Sequence, residues 1–135
     1  MFKILVLEDD KELNRTVCAF LNNSGYEAVG CINANEAYDA LYENTIDLIV
    51  SDIMMPGVDG FEFARNVRDV NNDIPILFMT ARDDIASKQR GFRIGVDDYM
   101  VKPIDLDELF LRIGALLRRA KIASSRKLEI GSFVM

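Results

Sequence analysis

Histidine is absent from this chain of 135 residues, and its two cysteines, Cys18 and Cys31, form no C-x-x-C pair. Without imidazole and with thiols this sparse, zinc sites and Cys/His catalysis are excluded, and both cysteines read as small buried hydrophobes. Positive charge is also short: 16 Lys and Arg against 22 Asp and Glu leave a formal net charge of -6. Nucleic-acid affinity rests on clustered cations that neutralise phosphates, so the chain itself is expected to bind no nucleic acid, and any DNA contact must lie elsewhere. No apolar run approaches the ~20 residues that cross a bilayer, and "MFKILVLEDD" is too short and too acidic for a signal peptide; no membrane contact and a cytoplasmic location are expected. Neither G-x-G-x-x-G nor G-x-x-x-x-G-K-[ST] occurs, which leaves dinucleotide and NTP binding without support. Only eight Gly and three Pro punctuate a chain that is half hydrophobic and 28% charged, the composition of one globular domain.

What the chain does have is five short apolar runs: "KILVL" (Lys3 to Leu7), "EAVGCI" (Glu27 to Ile32), "IDLIVS" (Ile46 to Ser51), "PILFMT" (Pro75 to Thr80) and "DYMVK" (Asp98 to Lys102). Their length and their Ile, Val and Phe content predict strands. Segments with helical spacing alternate with them: Leu13, Val17, Phe20 and Leu21; Ala37, Ala40 and Leu41; Phe61, Phe63, Ala64 and Val67; Ile85, Phe92 and Ile94. A last, strongest helix carries Leu106, Leu109, Phe110, Ile113, Leu116 and Leu117 behind Asp105 as N-cap. Strands that are apolar throughout, rather than alternating, imply a sheet buried on both faces. The prediction is therefore an α/β fold, a parallel (βα)5 three-layer sandwich with right-handed crossovers. The run "IASSRKLEIGSFVM" (Ile122 to Met135) breaks the pattern; it reads either as a linker entering a second domain or as a tail of the same one.

In such sheets ligands sit beyond the carboxyl ends of the strands, and for the order 2-1-3-4-5 the winding reverses between strands one and three. Those two ends carry Glu8, Asp9 and Asp10, and Asp52. Crowded carboxylates repel unless a cation relieves them, and an oxygen-only set points to a hard ion, Mg²⁺. Each could instead cap a helix, which accounts well for Asp10 and poorly for Asp52, whose successors Ile53 to Gly60 read as loop. Strands four and five end in Thr80, a hydroxyl donor, and Lys102, a cation ahead of Pro103. Alone, Thr80 is a helix cap and Lys102 a solvated lysine; together with the carboxylates they outline a phosphoryl-sized site. An EF-hand from Asp52 fails, since its third position is Met54 and its twelfth Phe63. A phosphatase with a second Asp two residues after its nucleophile fails at the same Met54.

With "LEDD", "DIMMPGVDG", "TA" and "KP" in this order, the chain resembles the receiver domains of two-component response regulators over Met1 to about Lys121, and "RGFRIGVDDYMVKPIDLDELFLRIGALLRR" resembles their OmpR/PhoB subfamily. The resemblance implies a flavodoxin-like fold and a self-phosphorylating, autodephosphorylating phosphoacceptor rather than a turnover enzyme. Asp52 would take a phosphoryl group from a sensor histidine kinase or a small phosphodonor. Asp9, Asp52 and the Met54 carbonyl would hold Mg²⁺, with Glu8 acting through water. Lys102 would pair with the carboxylate and then the phosphoryl group, Thr80 and Tyr99 would form the switch, and Pro103 would follow a cis peptide. A homodimer, formed on phosphorylation through the fourth helix, fifth strand and fifth helix, would use Lys88, Asp97, Asp98, Glu108, Arg112 and Arg119. Residues 122–135 would lead into a C-terminal winged-helix DNA-binding domain. Ile104 departs from the frequent phenylalanine, and Met54 and Arg82 flank the site where the family varies. A receiver-like interaction module that works without phosphorylation, and a stand-alone phosphorelay shuttle, remain as alternatives at this level.

Overall fold

The structure, a computed structural model, describes residues 1–121 in full and, beyond them, only the extent of the last helix; the expected linker and second-domain entry at 122–135 fall outside the fully described residues. Strands and helices alternate as β1 (Lys3–Leu7), α1 (Lys11–Asn23), β2 (Glu27–Cys31), α2 (Ala34–Glu43), β3 (Leu48–Ser51), α3 (Gly60–Val70), β4 (Ile76–Thr80), α4 (Ile85–Ile94), β5 (Asp98–Val101) and α5 (Leu106–Val134). The five strands are parallel in the order β2-β1-β3-β4-β5, the flavodoxin-like order predicted. Four strands are shorter than their apolar runs, β2 by Ile32 alone. Ile46 and Asp47 precede β3, because Asp47 is drawn to the β1 backbone: its carboxylate accepts from the Lys3 N–H at 2.8 Å. Pro75 precedes β4, and Lys102 lies one residue beyond β5.

Successive strand residues point to opposite faces, and both faces are buried. Leu5, Leu7, Ile49, Ile76 and Phe78 pack against Ala37, Phe61, Phe63 and Val67 of α2 and α3. Ile4, Val6, Leu48, Val50, Leu77 and Met79 pack against Val17 and Leu21 of α1 and Leu109, Ile113 and Leu116 of α5. Removing a side chain of this size from water contributes roughly 1.5–3 kcal/mol, so these two layers hold the sheet rigid beneath the loops. Cys31 belongs to the first layer, where burial, with smaller contributions from Glu36 and Cys18, pushes its thiol up to about 11; it behaves as the hydrophobe expected.

Helix α4 departs from its sequence reading. Its spacing put Ile85, Phe92 and Ile94 on the core face, yet Ile85 is 71% and Phe92 50% exposed, and the buried positions are Ser87 and Gly91. The reason is proximity: a Cβ on Gly91 would lie 3.1 Å from the Phe78 ring, so the helix comes too close to β4 for a larger residue there.

Candidate functional site

The register of the sheet assembles the site. Leu7 pairs with Ser51 across β1 and β3, so the next residues, Glu8 and Asp52, emerge side by side at the carboxyl edge. Thr80 pairs with Val101 across β4 and β5, and the Lys102 N–H donates to the Thr80 carbonyl at 2.8 Å, which fixes where the lysine departs. The Lys102–Pro103 peptide is cis, as expected.

Asp52 is 3% exposed. Its Oδ1 accepts from the N–H groups of Ile53 at 2.6 Å and Met54 at 3.2 Å, and its Oδ2 accepts from Lys102 Nζ at 2.8 Å. The loop that follows turns at Gly57, with φ +80°, and doubles back so closely that a Cβ on Gly60 would overlap the Asp52 carbonyl oxygen. Asp59 caps α3 by accepting from the Glu62 N–H. Cap and carboxylate are thus separate residues, and Asp52 has no helix to serve.

Glu8 is fully buried. Its Oε2 accepts from the Asp10 N–H at 3.0 Å, whereas Oε1 has no aligned hydrogen-bond donor, although Lys102 Nζ stands 2.7 Å away as an ionic partner. Burial pushes the Glu8 carboxyl up, with Asp52 adding to the rise, and the lysine and the Asp10 N–H offset only part of it. For Lys102 burial acts to lower the pKa, but its bonds to Asp52 and Glu8 outweigh that and the net direction is up. Asp9 is exposed, and its carboxylate comes within 4.8 Å of those of Glu8 and Asp52. Asp10 caps α1 through the N–H groups of Glu12 and Leu13, as read from sequence.

Thr80 is fully buried, and its Oγ1 accepts from the Arg82 N–H at 3.3 Å. It does not cap α4; Asp84 does. Tyr99 donates its hydroxyl to the Arg82 carbonyl at 2.6 Å and is 9% exposed, so it clasps the β4–α4 loop. A cavity of about 410 Å³ lined by Ile53, Met54, Met55, Pro56, Asp59 and Arg82 opens beside the carboxylates. A larger one, about 480 Å³ between α2 and α3, contains none of these groups.

The six polar residues of the expected dimer face are not brought to one cluster. Lys88 Nζ sits 5.9 Å from the Tyr99 ring centroid, Arg112 bonds Asp98 at 2.8 Å and Glu108 at 2.9 Å, and Arg119 is exposed on α5. Asp97 turns the other way, to Arg68 at 2.9 Å and to the Ile76 N–H. Sequence reasoning missed Arg68, and it missed Asn14, a buried amide under the Glu8 turn; the latter's one signal is a polar residue three before Val17 on the apolar stripe of α1.

Residues 4–114 match the family described as the response regulator receiver domain. Regulatory protein VanRB of Enterococcus faecalis is 41% identical over 133 residues, covering 98% of this chain and 60% of the relative. Transcriptional regulatory protein RprY of Bacteroides fragilis is 40% identical over 134 residues, covering 97% and 57%. The chain thus spans about 60% of the length of the curated relatives it matches. Among solved structures, response regulator protein TrrA of Thermotoga maritima, in complex with Mg²⁺-BeF, superposes with a TM-score of 0.78 at 31% identity over 86% of this chain and 99% of that one.

Proposed function

This chain belongs to the response regulator receiver domain family, and on that premise we propose that it accepts a phosphoryl group on Asp52 and passes the event to a transcriptional output. The observation that carries the reading is the state of the Asp52 carboxylate. It is buried, with one oxygen held by two main-chain N–H groups and the other facing a lysine shared with Glu8. A carboxylate is itself the nucleophile here, so attack needs no general base. Oδ2 forms the new O–P bond while the N–P bond of a kinase phosphohistidine breaks, and the electron pair leaves with the imidazole. Oδ1 stays hydrogen-bonded to the loop as the acyl oxygen. Lys102, freed from Oδ2, follows the phosphoryl oxygens. Catalysis here is placement and charge neutralisation, which suffice for phosphoryl transfer.

The residues fit a hard divalent cation. Glu8 Oε1 is buried without an aligned donor, the set is all oxygen, and a related structure in complex with Mg²⁺-BeF supports the choice of metal. Asp9, Asp52 and the Met54 carbonyl would hold Mg²⁺, with Glu8 acting through water. When bound, the ion neutralises charge on the transferring group. A phosphoryl group on Asp52 then draws the Thr80 hydroxyl towards it, and Tyr99 leaves the Arg82 carbonyl to fill the space. Taking a two-state domain from 1:99 to 99:1 requires about 5.5 kcal/mol, within reach of a few charge-assisted hydrogen bonds at ~1.5–3 kcal/mol each.

The output proposed is dimerisation through the α4-β5-α5 face, with Lys88, Asp97, Asp98, Glu108, Arg112 and Arg119 at its polar positions. The cognate donor is a sensor histidine kinase, the setting is cytoplasmic, and DNA is contacted by a domain that follows residues 122–135. The names of the longer relatives, regulatory and transcriptional regulatory proteins, support that output. Among the described residues no helix is long and apolar enough to cross a membrane. Incubation with acetyl phosphate and Mg²⁺ is expected to add the mass of one phosphoryl group, and Asp52→Asn to abolish the addition; an unmodified wild-type chain overturns the reading.

A further inference from the structure

Asp9 is the least restrained member of the acidic cluster: it is exposed, whereas Glu8 and Asp52 are buried in hydrogen bonds. Its position is therefore inherited from the turn that carries it. Both ends of that turn are pegged by one residue. The Asn14 side chain donates to the Glu8 carbonyl at 3.0 Å, and the Asn14 main-chain N–H donates to the Asp10 carbonyl at 2.9 Å. The same amide group reaches across to β2, donating to the Cys31 carbonyl at 2.8 Å, with a longer 3.4 Å branch to Val6. Its oxygen accepts from the Cys18 thiol at 3.3 Å, which sets which way the amide faces. Asn14 is 7% exposed, so these bonds are made out of water, where a lost partner is costly. β2 is shaped to admit the amide: a Cβ on Gly30 would stand 2.6 Å from Asn14 Oδ1 and 3.1 Å from Cys18 Sγ.

From this we infer that Asn14 is a positioning residue for the Glu8–Asp9–Asp10 turn, tying it to the end of β2 so that the Asp9 carboxylate faces Asp52 at the separation a divalent cation requires. The inference rests on the Mg²⁺ reading above. A buried amide of this kind could equally serve stability alone, and the two roles separate in their dependence on metal. A structural role lowers stability and leaves metal affinity where it was; a positioning role weakens the metal without slowing the chemistry once the site is filled.

The test is titration of the whole chain with MgCl₂ by calorimetry, paired with the Mg²⁺ dependence of labelling by acetyl phosphate. Groups that orient metal ligands typically affect affinity by 10–100-fold, so Asn14→Leu is expected to raise the half-saturating Mg²⁺ concentration about 10-fold while the labelling rate at saturating Mg²⁺ stays within about two-fold. Gly30→Ala, which displaces the amide without changing its chemistry, is expected to move the same quantity in the same direction and carries the test if Asn14→Leu does not fold. Leu21→Ala, a core truncation on the same helix, serves as the stability control and is expected to leave the Mg²⁺ dependence unchanged. Mg²⁺ affinity within about two-fold of wild type in Asn14→Leu and Gly30→Ala, or an equal shift in Leu21→Ala, overturns the inference. A wild type that does not respond to Mg²⁺ overturns the underlying reading instead.

Discussion

Lys102 is one ammonium set between two buried carboxylates, 2.7 Å from Glu8 and 2.8 Å from Asp52. Two negative charges at this depth repel each other, and the lysine is what allows both to face the same space. Each carboxylate keeps some support without it: Asp52 has the Ile53 and Met54 N–H groups, and Glu8 has the Asp10 N–H. Lys102→Met is therefore expected to cost about 1–3 kcal/mol of stability in the presence of a chelator, below the loss seen when a fully buried pair is broken outright. The loss should shrink when Mg²⁺ is added, because a bound cation takes over the compensation and contributes ~2.7 kcal/mol at a hundredfold excess over its Kd. Urea denaturation of the variant with EDTA and with Mg²⁺ measures both; a cost equal in the two buffers rules out a shared role for lysine and metal.

At the scale of elements, the β3–α3 connection decides where Asp52 points. The Gly60 N–H donates to the Ile53 carbonyl at 2.8 Å, and a Cβ on Gly60 would meet backbone, the Asp52 carbonyl oxygen and the Ile53 Cα, rather than a side chain able to turn aside. Gly60→Ala is expected to cost about 1–3 kcal/mol through forced backbone displacement, and to slow labelling of Asp52 by acetyl phosphate because the carboxylate moves with the loop. Labelling at the wild-type rate would show that the loop accommodates the methyl group without moving Asp52. The strands were legible in sequence because a sheet buried on both faces leaves unbroken apolar runs, and the carboxylates were legible because the first and third runs lead directly into them. Helix α4 was not, since its buried face is made of Ser87, bonded to Asp84, and Gly91, kept small by closeness to Phe78, rather than of apolar residues. Asn14 and Arg68 were equally hidden. Both act mainly on main-chain carbonyls, those of Glu8 and Cys31 for the amide and those of Gly95 and Asn71 for the guanidinium, and a carbonyl has no letter in the sequence.

For the molecule as a whole, the misread α4 bears on assembly. Ile85, Lys88 and Phe92 lie three and four residues apart, on one stripe beside Tyr99, whose ring is 6.4 Å from that of Phe92. Four of the six polar groups of the proposed α4-β5-α5 face are meanwhile engaged within the chain: Arg112 with Asp98 and Glu108, and Asp97 with Arg68. Exchanging those bonds for equivalent ones across a two-fold axis changes little, and exposed pairs contribute only ~0–1 kcal/mol each. Burying a large apolar side chain contributes roughly 1.5–3 kcal/mol and occurs twice in a symmetric interface. The dimer proposed to form on phosphorylation should therefore be held chiefly by Phe92 and Ile85, with the charges setting its register. Sedimentation of the phosphorylated chain is expected to show dimerisation weakened at least tenfold by Phe92→Ala, and less by Arg112→Ala, since 1.4 kcal/mol corresponds to a factor of about ten. Raising the salt concentration should leave the dimer largely intact, whereas screening would dissolve an interface built on exposed ion pairs. A dimer that dissociates in salt and survives Phe92→Ala would place the interface energy on the charges instead.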